Sequence, residues 1–457
     1  MWMEQVFERF VERSPFSVMT RATLEHLFAD SFLDQVFRDH ADAQYERELA
    51  FSAVATLLTQ VVLRVRPSVR DAYRRSDAPI PATLKSVYEK LRHVEAAVCQ
   101  ELLRQTAARA AAVLACWPEA ARPDPVPGLR LRVLDGNYLA GTQKRLKPLR
   151  GEGAAALPGM SVVMRDDRTG LLCRLACRED AYTNERALAG ELLGWVEAGD
   201  LIVAGRNFCC LDFLRGLADR KAFFVIRHHE QVRLTRRARL RRLGRTKRGA
   251  VCEQQVEAGP QGLGLRCVVI ELDEPTEDGE TEVRLLSNVP AEKAGGLALA
   301  EAYLRRWRIE HSFQELTEQL RCEVDTPGYP KAALLGFSLA ACAYNLWAVV
   351  KGALAATHGQ GKVEEGLSSH ALAQEVSQDT SGLQIALPPP FWERFAGMSS
   401  TEMAVWLKET ARRVPWHRYR KSKRGPSKPP PPKRKGGRRR THVSTARILN
   451  GGQQLSQ

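Results

Sequence analysis

The chain has 457 residues, of which 44% are hydrophobic, so it can bury a core and is long enough for more than one domain. This excludes a peptide-like scaffold. The formal net charge of +15 comes from residues 411–457, which contain fifteen Lys or Arg residues and neither Asp nor Glu, so the first 410 residues are neutral overall.

The N-terminal part of the chain is predicted to be helical. Residues 1–120 carry apolar residues at helical spacing and few helix-breaking residues, most clearly over residues 46–65 and 82–116. Four prolines between residues 117 and 128 then end the helical region and mark a domain boundary. The N-terminus has glutamates among its first residues and lacks the basic start of a secretory signal, which indicates a cytoplasmic protein.

Short apolar runs alternate with helical segments after this boundary. Strands are predicted at residues 129–134, 160–164, 171–176, 201–204 and 222–226, and helices at residues 184–198 and 211–217. The alternation indicates an α/β domain, of which residues 129–226 form the first part.

Residues 227–294 are predicted to be a β-rich insertion, because strand-like segments there are separated by turn residues. Its beginning is strongly basic, since residues 233–248 contain nine Lys or Arg residues and no acid. Two interpretations carry equal weight at this point: a surface for a phosphate backbone, and an ordinary solvated charged face.

The rest of the chain is predicted to be helical before it becomes basic. One helix is expected from Gly295 to about Leu320 and a second over residues 332–354, so that residues 295–355 complete the core and residues 356–410 add smaller helices. The second helix approaches the length of a membrane span, but its Ser338 and Asn345 favour a buried core helix. Residues 411–457 are predicted to be a disordered basic arm that binds a polyanion, with a solubilising tail as the alternative.

The ten cysteines are expected to be buried thiols, because most have apolar neighbours and no pair of Cys-x-x-Cys motifs occurs. A zinc site formed by Cys173 and Cys177 would lack a second pair of ligands at a usual spacing.

Two features carry candidate chemistry. Asp135 follows a predicted strand in the segment VLDGNY, and carboxylates at strand ends are where α/β sheets display catalytic or metal-binding groups. Tyr303, Arg306 and Glu310 lie on one face of a predicted helix. Each feature also has an ordinary explanation, a turn residue for Asp135 and a surface ion pair for Arg306 and Glu310.

Taken together, these motifs resemble transposases of the insertion-sequence-four type. The resemblance rests on VLDGNY around Asp135, on GDL to RNF over residues 199–208, and on YLRRWRIE over residues 303–310, and it covers residues 129–355. It implies an α/β fold with a ribonuclease H-like catalytic core and a β-rich insertion, beside an all-helical N-terminal domain that we expect to bind DNA.

The resemblance also implies roles for individual residues. Asp135 matches the first catalytic and metal-binding aspartate and Glu310 the glutamate, and such carboxylates hold two Mg²⁺ ions. Tyr303 and Arg306 match residues that contact DNA near the cleaved end. The expected partners are the terminal repeats of a mobile element and target DNA, with a homodimer in the synaptic complex.

Two positions depart from the family pattern. Gly205 stands where the second catalytic aspartate is expected, and neither Asp200, five residues earlier, nor Asp212, on the following helix, is an obvious replacement. Thr317 stands where a lysine is expected. We therefore expect weak or absent cleavage. The alternatives are a catalytically dead DNA-binding protein derived from a transposase and, with less support, a general nuclease.

Overall fold

Most of the described strands form one large mixed sheet, and helices from both ends of the chain pack beside it. The computed structural model describes residues 2–42, 48–76, 79–139, 146–150, 156–276, 279–325, 328–422 and 443–451. The strands are β1 Arg130–Leu139, β2 Ala156–Leu157, β3 Gly159–Asp166, β4 Leu172–Arg178, β5 Asp200–Ala204, β6 Phe223–Arg227, β7 Leu234–Arg236, β8 Arg241–Thr246, β9 Gly249–Ala258, β10 Leu263–Leu272, β11 Glu282–Ser287 and β12 Val443–Ser444.

Helices precede, interrupt and follow these strands. They are α1 Trp2–Arg13, α2 Pro15–Leu27, α3 Asp30–His40, α4 Phe51–Val62, α5 Val69–Arg74, α6 Leu84–Leu91, α7 Ala96–Leu114, α8 Ala189–Leu193, α9 Leu211–Asp219, α10 Gly296–Leu304, α11 Trp307–Glu318, α12 Pro330–His358, α13 Gln360–Gly366, α14 Ser369–Ala386, α15 Pro389–Ala396, α16 Ser400–Arg412 and α17 Thr445–Leu449. Short 3₁₀ turns include Glu185–Leu188, Arg206–Phe208 and Trp416–Tyr419.

The main sheet has the strand order β4-β3-β1-β5-β6-β11-β10-β9-β7, with β8 also paired to β9. Strand β3 is antiparallel to both of its neighbours, β4 and β1, whereas β5 and β6 run parallel to β1. Apolar residues cover both faces of the central strands: α8 and α9 pack on one face, and α10 and α11 pack on the other. The fold is thus a mixed α/β fold, as expected, built in three layers.

The predicted insertion is not a separate unit. Strand β11 pairs with β6, placing Leu286 opposite Ile226, so that β7 to β11 extend the main sheet. Hydrogen bonding at the edge of β6 explains this arrangement, because an unpaired strand edge would leave backbone groups unsatisfied.

The N-terminal helices share one hydrophobic core with α12 and α16, where the sequence analysis expected a domain of their own. Helix α12 is apolar on all sides and therefore needs partners all around it. It is long and apolar enough to cross a membrane, yet 94% of its most apolar window is buried inside the protein, and Ser338 donates a hydrogen bond to the Cys99 carbonyl at 2.7 Å. These contacts identify α12 as the central core helix.

One expectation about the helices is wrong. The single helix expected from Gly295 to about Leu320 is two helices, α10 and α11, with a bend at Arg305 and Arg306. The carboxylate of Asp167 accepts hydrogen bonds from Arg305 and Arg308, which lie on either side of the bend. The buried Asp167 carboxylate thus ties the bend residue Arg305 to α11 and holds the chain in its bent path.

The basic arm is shorter than predicted. Helix α16 continues to Arg412, and Tyr419 is buried and donates a hydrogen bond to Glu375. After residue 442 the chain forms β12, which pairs with β2, and then α17. The expected disorder within residues 423–442 and 452–457 lies outside the described residues.

Candidate active site

Asp135 and Gly205 lie beside each other at the end of two parallel strands. The pairing of β1 with β5 ends at Leu134 opposite Ala204, so that each strand continues directly into one of the two residues. The prediction that Asp135 follows the end of its strand is wrong, because β1 stays paired with β3 on its other side as far as Leu139. The carboxyl end of the parallel pair is nevertheless where an α/β sheet displays functional groups.

Arg306 joins the two predicted carboxylates. Its guanidinium donates to Asp135 Oδ2 at 2.8 Å and to Glu310 Oε1 at 2.5 Å. Asp135 lies on β1 and Glu310 lies in the first turn of α11, and the chain between these two residues includes the whole β-rich insertion. The structure therefore brings together the three residues Asp135, Arg306 and Glu310 that the sequence singled out.

Tyr303 lies under this cluster and is not at the surface. Its side chain is 6% exposed, and the Arg306 guanidinium lies over its ring at 5.9 Å from the centroid. Burial raises the pKa of the Tyr303 phenol above its usual value. In the structure Tyr303 contacts Arg306, and the expected contact of Tyr303 with DNA stays a prediction.

Burial shapes the electrostatics of Asp135. It raises the pKa of the Asp135 carboxyl to about 6; Arg306 opposes the shift, and the negative charges of Glu310 and Glu185 add to it. Burial lowers the pKa of Arg306, but Tyr303, Asp135 and Glu310 together hold this pKa above its usual value. The site thus holds a cation between carboxylates, in a place that is partly withdrawn from water.

Gly205 leaves an open space at the position of the expected second aspartate. A Cβ atom there would meet no atom within 4 Å, and its backbone, with φ −72° and ψ 177°, is available to any L-residue. Asp200 lies at the opposite end of β5, where its carboxylate is 3.1 Å from Arg130 and 3.6 Å from Arg132. The structure thus keeps Asp200 away from Asp135.

Glu185 is a carboxylate at this site that the sequence analysis missed. It opens the 3₁₀ turn before α8, its side chain is 6% exposed, and burial raises the pKa of its carboxyl. A Cβ atom at Gly136 would overlap Glu185 Oε1, so this glycine leaves the room that the carboxylate fills. No motif marks Glu185 in the sequence, and its position follows from the packing of the turn against β1.

The donor groups suit a hard divalent cation, although the site is not assembled around one. Among the residues that the structure describes, no three His, Cys, Asp or Glu side chains converge tightly enough to hold a metal ion. Carboxylate oxygens are the ligands that Mg²⁺ prefers, and Asp135 and Glu310 would hold it if Arg306 released them. The zinc alternative has no support, since Cys173 and Cys177 are free thiols without partner ligands in the described part of the chain.

A basic surface flanks the site. Strand β8 and the residues before it expose a row of arginines: Arg236, Arg237, Arg239, Arg241, Arg242 and Arg245. The turn after β8 reaches α11, where the Arg248 guanidinium lies over the Trp307 ring at 4.4 Å from the centroid. Trp307 follows Arg306 in the chain, so this basic strand and the carboxylate cluster are physically connected.

Comparisons with known proteins find similarity to transposases. Residues 133–346 match the family described as "Transposase DDE domain", and this range includes Asp135, Gly205 and Glu310. One similar solved structure is a cryo-EM structure of a piggyBac transposase synaptic complex with hairpin DNA, with 14% identity, 83% of each chain covered and a TM-score of 0.40. No curated protein sequence matches the chain. Residues 133–346 of the chain are therefore similar to a transposase DDE domain.

Proposed function

We propose that the chain is a DNA transposase of the insertion-sequence-four type, which cleaves the ends of a mobile element and joins them to target DNA. The observation that carries the proposal is the meeting of Asp135 and Glu310 at Arg306 inside the region that is similar to a transposase DDE domain. These residues lie far apart in the sequence and come from different elements.

The strand order supports a ribonuclease H-like core for this domain. Three antiparallel strands, β4, β3 and β1, are followed by β5 and β6, which run parallel to β1. Asp135 lies on the central strand of this set, and Glu310 lies on a helix packed against the same sheet. This arrangement is the one that the sequence resemblance implies.

Each residue of the cluster has a chemical task in the proposed reaction. Asp135 and Glu310 would hold a divalent cation, which we propose to be Mg²⁺ in two copies and which activates the attacking oxygen and stabilises the leaving oxygen of a phosphodiester. Arg306, released from the carboxylates, presents a planar pair of donors that suits a phosphate oxygen. Tyr303 keeps that guanidinium in place.

DNA is the partner that the charges favour. The arginines of β8 lie next to the cluster, and the phosphate backbone is a polyanion that such a strand would follow. We propose that terminal repeats and target DNA bind here, that two copies of the chain form the synaptic complex, and that the protein acts in the cytoplasm.

A second candidate function is a DNA-binding protein without catalysis. Gly205 favours it, because a metal shared by two aspartates would lose one of them. The DNA surface and the cluster around Arg306 would then serve binding alone.

Cleavage assays separate the two candidates. The substrate is labelled DNA with the element's own terminal repeats in Mg²⁺ or Mn²⁺, and the proteins are the unaltered chain, Glu310→Gln, Gly205→Asp and Glu318→Gln. Glu318 lies on the same helix but pairs with Gln314 at the surface, so it serves as the matched control. Cleavage by the unaltered chain and by the control, lost in Glu310→Gln, supports the transposase; cleavage by Gly205→Asp alone supports the silent DNA-binding protein.

A further inference from the structure

We propose that Glu280 occupies a phosphate-binding site in the free protein, and that DNA displaces it from Arg206 and Arg227. This inference rests on the proposed function, because the expected ligand is a phosphate of the DNA backbone. It goes beyond that function by giving the DNA surface an internal competitor.

Arg227 lies in the same row of the sheet as Asp135. Strands β1, β5 and β6 pair in register up to Leu134, Ala204 and Ile226. The next residues of the three strands are Asp135, Gly205 and Arg227. Two strand spacings put the Cα atoms of Asp135 and Arg227 roughly 10 Å apart. Gly205 adds no side chain between them, and a Cβ atom there would meet no atom of the described residues within 4 Å, so the space between them is open.

Arg227 also points to the face of the sheet on which Asp135 meets Arg306. Side chains alternate along a strand, and Val225 packs on the side of α10 and α11, so Arg227 lies on that side too. Its charge reaches Tyr303 on α10: burial raises the pKa of the Tyr303 phenol, and the guanidinium groups of Arg306 and Arg227 oppose that rise. Arg227 is therefore a neighbour of the carboxylate cluster.

Glu280 places one carboxylate between two guanidinium groups. It lies in the turn between β10 and β11, where its backbone N–H donates to Thr276 Oγ1 at 3.1 Å. Arg206 donates to Glu280 Oε1 at 2.6 Å, and Arg227 donates to Oε2. Guanidinium groups bind carboxylate and phosphate in the same planar fork geometry, and a phosphodiester has two unesterified oxygens for the two donors. The carboxylate thus fills a place that suits a phosphate.

The contact is weak enough for DNA to replace it. The exposed fractions of the side chains are 41% for Arg206, 31% for Glu280 and 20% for Arg227, so solvent reaches all three. Ion pairs in such positions contribute little to stability. Burial raises the pKa of the Glu280 carboxyl, but the two arginines outweigh this effect and hold the pKa below its usual value. The carboxylate is therefore charged at neutral pH and competes with an anion.

A purely structural ion pair would behave differently from a competitor. If Glu280 only held the arginines in the geometry that DNA needs, Glu280→Gln would weaken DNA binding. If Glu280 competes with DNA, the same variant binds DNA more tightly, because the guanidinium groups no longer have to exchange a carboxylate for a phosphate. The direction of the change in affinity separates the two roles.

The test measures binding of a fluorescein-labelled DNA duplex of arbitrary sequence to the full chain by anisotropy, in chelator so that no metal takes part. We expect Glu280→Gln to bind the duplex about fivefold more tightly, the change that corresponds to one exposed ion pair. Arg206→Gln and Arg227→Gln should each bind it more weakly. Thermal unfolding checks that each variant is folded, and Arg206→Gln, at the more exposed arginine, is sufficient if Arg227→Gln does not fold.

A second ion pair on β11 provides the matched controls. Glu282 pairs with Arg284, and both alternate with Leu286, which packs on the opposite face of the sheet from Arg227. Glu282→Gln and Arg284→Gln make the same changes in charge and should alter the affinity for the duplex less than the variants of the proposed site.

The outcomes separate this inference from the proposed function. Unchanged or weaker binding by Glu280→Gln, or an equal gain in Glu282→Gln, overturns the inference and leaves the proposed function intact when the unaltered chain binds the duplex. No binding of the duplex by the unaltered chain overturns DNA as the partner, and this inference with it.

Discussion

Arg306 and Asp135 form an ion pair with a distance of 2.8 Å between Nη1 and Oδ2, which ties the start of α11 to β1. The second amino group of the same guanidinium binds Glu310. A guanidinium here does what a metal ion would do, since it neutralises two carboxylates that would otherwise repel each other. Metal binding and this ion pair therefore compete for the same oxygens.

Replacing Arg306 should reveal that competition. In Arg306→Gln the two carboxylates lose their cation, so we expect the free energy of unfolding in chelator to fall by about 3 kcal/mol, the lower end for a buried pair that loses one partner. Mn²⁺ should then stabilise the variant more than it stabilises the unaltered protein. Urea unfolding with and without Mn²⁺ measures both effects. An equal gain in the two proteins would contradict the competition.

The raised pKa of Asp135 predicts a pH dependence of stability. Burial raises the pKa of this carboxyl to about 6 from 3.8, so between these pH values the folded state binds more protons than the unfolded state. The contribution of Asp135 to the free energy of unfolding therefore falls as the pH rises from 3.8 to about 6. In chelator, the free energy of unfolding of Asp135→Asn should rise relative to that of the unaltered protein by about 2.4 kcal/mol between pH 4 and pH 7.

Urea unfolding at both pH values checks this sign. The exposed aspartate Asp212 on α9 provides the control, and Asp212→Asn should show a smaller change over the same range. A gain for Asp135→Asn that is the same at pH 4 and pH 7 would exclude a raised pKa as its cause.

Asp167 stabilises the bend between α10 and α11. It is 2% exposed and pairs with the buried Arg165 as well as with Arg305 and Arg308. Asp167→Asn leaves the buried guanidinium of Arg165 without a counter-charge, and we expect a loss of roughly 3–5 kcal/mol in the free energy of unfolding.

A surface pair offers the comparison. Asp273 pairs with Arg245 in an exposed position, and Asp273→Asn should cost less than about 1 kcal/mol. Urea unfolding measures the loss in the free energy of unfolding for both variants. If they lose the same stability, Asp167 is not the anchor of the bend.

Part of the site could be predicted from the sequence because it depends on local pattern. Asp135 follows an apolar run, and Arg306 and Glu310 are four residues apart on a helix, so both the strand and the i, i+4 ion pair follow from spacing alone. The bend at Arg305 depends instead on Asp167, more than a hundred residues earlier in the chain. Helical periodicity contains no information about such a partner.

Glu185 and the shared helical core were missed for the same reason. The carboxylate of Glu185 packs against β1 because Gly136 has no side chain, a fit that appears when β1 and the turn before α8 are packed together. Helix α12 was correctly interpreted as buried, but the sequence does not tell which helices cover it. Tertiary packing determines both, and it joins segments that are distant in the sequence.

Substitution of arginines in β8 distinguishes a surface for a phosphate backbone from an ordinary solvated charged face. If Arg241 and Arg242 each contact a phosphate, Arg241→Ala with Arg242→Ala should weaken DNA binding similarly for all sequences. The slope of log affinity against log salt concentration should become shallower by about 2, because roughly 0.9 counterion is released for each phosphate neutralised. Titration by fluorescence anisotropy at several salt concentrations measures this slope. Equal slopes for the β8 variant and the unaltered protein would identify this strand as a solvated charged face.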